Sequence, residues 1–171
     1  GKLSSSSGTG DKSSQCCANG SVGQNDIAND DADNETDVGE KADEYAADII
    51  RMGKEKGMSD EDIQAAIALA MGSSQMRNLA NDGSKFTGNG KVTKEQVQRS
   101  ADIDHDGIHK NASEMGLFLM TPGKDGDVKD LMDTNYQINK VLDGIKSKGG
   151  TKGKDLNTLA KDIGLPKYDY N

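Results

Sequence analysis

The sequence predicts an all-α fold: a small helical domain over residues 40–171, preceded by a disordered acidic leader over residues 1–39. Three observations predict it. From Glu40 onward apolar residues recur at helical rather than alternating spacing. β-branched clusters are scarce, so any strand should be limited to a residue or two in the loops. The first 39 residues scatter single apolar side chains through a Ser-, Gly-, Asn- and Asp-rich background, with nothing to offset the entropy of ordering them. Only 32% of the 171 residues are hydrophobic and 4% aromatic, too few for a thick core along the whole chain.

The elements follow in order. A first helix at 41–52 places Ala42, Ala46, Ile49 and Ile50 on one side. Ser59 caps a second, with acids in the first turn and Ile63, Ile67, Ala70 and Met71 as its stripe, reaching about Ala80 before Asn81-Asp82-Gly83. Thr93 and Gln96 form a capping-box pair opening a third helix at 93–101. A fourth is expected at roughly 111–120, ending at Thr121-Pro122-Gly123. The fifth, at about 127–146, aligns Leu131, Ile138, Val141, Leu142 and Ile145. After Gly149-Gly150, Leu156, Leu159, Ala160 and Ile163 mark a last helix before Gly164 and Pro166.

Charge excludes several classes of partner. Residues 1–44 hold ten acids against three lysines, so nearly all of the formal net charge of −8 sits in the leader. The balanced remainder has no basic field for nucleic acid or anionic lipid. No stretch approaches the ~18–20 apolar residues that span a bilayer. With no initiator Met and no signal-type apolar region, the numbered chain reads as a mature product. Cys16 and Cys17 are adjacent, a geometry that disfavours their pairing with each other, and read as a reactive pair without a role in the fold.

Residues 93–108 carry the chemistry: a short helix runs into Asp102-Ile-Asp104-His-Asp106-Gly107-Ile108. Alternate carboxylates followed by glycine can curl around one hard cation, the glycine permitting the sharp turn and the next residue offering its carbonyl. Without a cation the three carboxylates repel one another.

This segment resembles the EF-hand calcium-binding family, in its compact bacterial form. The resemblance implies Ca2+ as ligand, with Asp102, Asp104 and Asp106 ligating through side chains and Ile108 through its carbonyl. The twelfth position is Ser113, and Glu114 lies one beyond. Either Glu114 closes a thirteen-residue loop or the last ligand is missing. Asn89-Gly90-Lys91-Val92 is similar to the latter half of a second loop spanning Lys85 to Gln96, with Thr87 and Asn89 at ligand positions. Asp125-Gly126-Asp127-Val128 is similar to a third, spanning Thr121 to Met132. The turn at Gly90 can thus pair with Gly107, 17 residues on, or with Gly126, 36 residues on. The EF-hand-like region covers 82–133. It implies a non-catalytic calcium-binding protein, a monomer, whose helical domain is ordered by one ion of weak affinity.

Other constellations carry less. His105 and His109 are four apart but lack a third ligand for zinc, and read as solvated. No Gly-x-Ser-x-Gly, phosphate-binding glycine loop or His-Glu-x-x-His is present, so no enzyme is expected. Met115, Leu117, Phe118, Leu119 and Met120 read as core rather than as a surface that opens on cation binding. The alternative function comes from composition. The Ser/Asn/Gly-rich leader, acidic pI and absent tryptophan resemble harpins and other type III-secreted bacterial effectors, implying a secreted, extracellular interaction protein with no metal requirement and an unidentified protein partner.

Overall fold

The computed structural model describes residues 40–165. The predicted leader, with Cys16 and Cys17, lies outside the described residues. Within them the chain is predominantly helical, as expected, and no helix is long and apolar enough to cross a membrane.

Helix α1 (Ala42–Glu55) buries Tyr45, Ile49 and Gly53, while Ile50, expected on the same side, is 38% exposed. Helix α2 (Asp60–Ser74) begins where Ser59 accepts a hydrogen bond from the Asp62 amide at 3.2 Å, with Asp60, Glu61 and Asp62 in its first turn. It stops well short of the expected Ala80. Ser74 supplies the reason: its hydroxyl donates to the Leu117 carbonyl at 2.7 Å and accepts from the Arg77 amide at 3.1 Å. Gln75 and Met76 then both take φ of 59°, which turns the chain out of the helix.

Released from α2, Leu79–Asn81 forms strand β1, which pairs in parallel with β2 (Gly107–His109) in the register Leu79–Gly107, Ala80–Ile108, Asn81–His109. These strands are slightly longer than the residue or two foreseen. Between them, α3 (Lys94–Gln98) carries both halves of the predicted capping box. The Gln96 amide donates to Thr93 Oγ1 at 3.1 Å, and the Thr93 amide donates to Gln96 Oε1 at 2.8 Å. A 3-10 turn over Arg99–Asp102 continues it.

The helix expected at 111–120 does not form. Met115 and Met120 instead exchange backbone hydrogen bonds across a tight turn, with Gly116 at φ 93° and Leu119 at φ 55°. The buried side chain of Gln137 holds this turn: Nε2 donates to the Met115 and Leu131 carbonyls, at 2.9 and 3.0 Å, and Oε1 accepts from the Phe118 amide at 2.7 Å. Met115, Leu117, Phe118, Leu119 and Met120 are all buried, as a core segment should be.

The expected helix at 127–146 is two. Asp127 caps α4 (Val128–Leu131), and Asp133 caps α5 (Thr134–Ser147) by accepting from the Asn135 amide at 3.0 Å. Its predicted stripe, Leu131, Ile138, Val141, Leu142 and Ile145, is buried throughout. Helix α6 (Leu156–Asp162) is capped by Asp155, whose carboxylate accepts from the Thr158 amide at 2.8 Å and is held below the usual carboxylate range by that bond. Helix α1 packs on α2 and α5, and α2 on α5 and α6. Gly53 lets α1 approach Ile63 of α2 more closely than a Cβ would allow. Asp62 ties the far end, accepting from both the amide and the hydroxyl of Thr151 at 3.0 Å.

Candidate functional site

The Asp102–Ile108 segment leads from the 3-10 turn into β2, with Tyr45 of α1 against it. Asp106 is its most engaged residue. Its Oδ2 accepts the Tyr45 hydroxyl at 2.6 Å and the Asn78 amide at 2.8 Å, and its own amide donates to the Asn78 carbonyl at 2.8 Å. One carboxylate thus joins α1, the turn after α2 and the entry to β2. Burial first, and then the hydrogen bond to Asp106, push the Tyr45 phenol far above the ordinary tyrosine range.

The other predicted ligands stand apart. Asp102 is exposed at the end of the 3-10 turn. The Asp104 side chain is 87% exposed and lies 3.3 Å from the Lys41 ammonium at the start of α1. The hydrogen bond to Asp104, then the charges of Asp104 and Asp106, hold Lys41 above the ordinary lysine value. Ile108 sits in β2 opposite Ala80. Glu114 offers its carbonyl inward, to Asn81 Nδ2 at 2.9 Å and His109 Nδ1 at 3.1 Å. The structure does not draw these carboxylates into one ligand shell: no group of three or more His, Cys, Asp or Glu side chains among the described residues could hold a metal ion as placed.

The histidines differ from expectation. Strand β2 removes any shared helical face. His105 Nδ1 lies 2.7 Å from the Ile103 carbonyl, while His109 is buried rather than solvated.

The turn at Gly90 abuts the turn at Gly126, whereas the residues after Gly107 pair with β1. Asn89 Nδ2 donates to the Pro122 carbonyl at 2.9 Å, and its Oδ1 accepts from the Val92 amide at 3.0 Å. Gly123 is required beneath it, because a Cβ there would overlap the Asn89 amide and its φ is 85°. In the third loop, Asp125 Oδ2 accepts from the Thr121 amide at 2.8 Å and Tyr136 donates to the Asp125 carbonyl at 2.9 Å.

Lys41, Tyr45 and Asn78 escaped the sequence reading although they shape the site, and Asn81 was read only as part of a helix-ending turn. The Asn81 side chain holds the Ala112 and Glu114 carbonyls and the Gly83 amide. Apart from the Gly83 amide, two residues on, these partners lie tens of residues away, so the sequence carries no local signal for them. No protein-family model matches the chain, and no curated protein is detectably similar to it.

Proposed function

We propose that the chain is a non-catalytic calcium-binding protein in which the Asp102–Ile108 loop takes one Ca2+ in exchange for the Lys41 ammonium. The observation that carries this reading is the cation already at the loop: Lys41 Nζ bonds Asp104 and feels the charge of Asp106. A divalent ion would replace a single positive charge with two and gather Asp104 and Asp102, both exposed enough to turn inward. Ile108 would add its carbonyl and Glu114 would close the loop. Displacing Lys41 and reorienting side chains both cost affinity, which supports a dissociation constant on the order of 10⁻⁴–10⁻³ M, as in extracellular modules. Magnesium, needing a tighter octahedral shell, is disfavoured.

Tyr45 makes the site testable by itself. The chain has no tryptophan, and the Tyr45 hydroxyl touches Asp106. Terbium, which occupies calcium sites, should therefore show tyrosine-sensitised emission that Tyr45→Phe abolishes and Tyr136→Phe leaves intact. Emission that depends on Tyr136, or none at all, would remove the site from this loop.

A second reading rests on Asp106 itself. With Oδ2 given to Tyr45 and Asn78, the aspartate acts as a structural fastening. The chain would then be a secreted, effector-like interaction protein with no metal requirement.

A further inference from the structure

Two adjoining depressions, of about 280 and 320 Å3, lie where α3, the 3-10 turn and the Gly126 loop meet, sharing Lys91, Val92 and Asp127. Val92, Ile103 and Val128 form the apolar floor. The rim carries four exposed cations, Lys91, Arg99, Lys124 and Lys129, against two carboxylates. Both carboxylates already serve their own loop: Asp127 accepts from the Asp130 amide and Asp125 from the Thr121 amide, each at 2.8 Å. None of the four cations has an ion-pair partner among the described residues. An apolar floor inside a cationic rim suits an acidic segment that carries a few aliphatic side chains.

The same chain contains one. Asp26–Val38 holds six carboxylates, no cation, and the aliphatic residues Ile27 and Val38. It lies outside the described residues and joins them at Glu40. Lys41 is bonded to Asp104, the residue after Ile103 of the groove floor. Val38 is three residues before Lys41, a span of at most about 10 Å. We propose that the acidic segment Asp26–Val38 docks in cis on the groove floored by Val92, Ile103 and Val128. Tethering supplies an effective concentration on the order of millimolar, so a weak intrinsic contact suffices. None of the groove residues named is a proposed calcium ligand, but Ile103 lies within the loop and Ca2+ would release the Lys41–Asp104 bond, so docking is tested without added Ca2+.

The test uses the full chain with Cys16→Ser, Cys17→Ser and Asn34→Cys, a nitroxide on the new thiol and nitrogen-15 labelling. Selective broadening of the Val92, Ile103 and Val128 amides is expected. It should disappear in about 1 M salt, where the Debye length falls to about 3 Å. Lys91→Glu/Lys129→Glu should abolish it as well. Should that pair unfold the domain, Asp30→Asn/Asp31→Asn/Asp33→Asn removes the complementary charge without altering the body, with the same loss expected. No broadening, or broadening indifferent to these changes, overturns the proposal. So does broadening seen only when spin-labelled chains are mixed with separate isotope-labelled ones, which would assign the groove to a second copy.

Discussion

Gln137 is the residue on which the non-helical core segment depends. Its amide satisfies two carbonyls and one amide buried between Met115 and Leu131, groups that would otherwise be costly to leave unpaired. Gly116 makes room for it, because a Cβ there would overlap the Gln137 amide and its φ of 93° disfavours a side chain. Gly116→Ala should therefore destabilise the fold by about 2 kcal/mol or more, read as a lower urea midpoint; an unchanged midpoint would mean the turn is not held this way. Tyr45 gives a pH signature of its own. Its folded pKa is raised, so the stability it contributes is complete below the ordinary tyrosine value of about 10 and falls as pH rises above it, because the unfolded chain releases the proton first. Alkaline titration of tyrosinate absorbance should show one phenol ionising only as the protein unfolds. Tyr45→Phe should remove that step; a normal titration of all tyrosines would contradict the buried contact with Asp106.

At the scale of elements, caps and stripes were legible in the sequence and breaks were not. Thr93 and Gln96 announced α3 because a capping box is local, and both of its hydrogen bonds form. Thr93→Ala should cost about 1 kcal/mol and speed amide exchange at Gln96; no change in either would deny the box a role. The stripe from Ile138 to Ile145 announced α5 for the same reason. The end of α2 was hidden because the Ser74 hydroxyl finds its partner on Leu117, 43 residues away. The segment 111–120 misled because a short apolar run satisfies a buried helix and a buried turn equally. Only Gln137, about twenty residues further on, distinguishes them. The Asp102–Gly107 loop showed only the alternate spacing of its carboxylates. The contacts that hold it, from Asn78 and Tyr45 at 28 and 61 residues' separation, left no trace there.

For the whole molecule, charge is unevenly distributed along the chain. Most of the acidity lies ahead of α1 in the sequence, four exposed cations line the Val92–Val128 groove, and the Lys41–Asp104 pair joins the start of α1 to the loop. There Ca2+ is proposed to replace the Lys41 ammonium. Calorimetric titration of Ca2+ into the full chain, beside Asp102→Ala/Asp104→Ala and with magnesium as control, tests it most directly. Saturable binding on the order of 10⁻⁴–10⁻³ M is expected, lost in the double variant and weaker for magnesium. Absence of heat up to several millimolar (roughly the weak limit for such loops), or equal binding by the variant, would contradict it and leave Asp106 as a structural fastening alone.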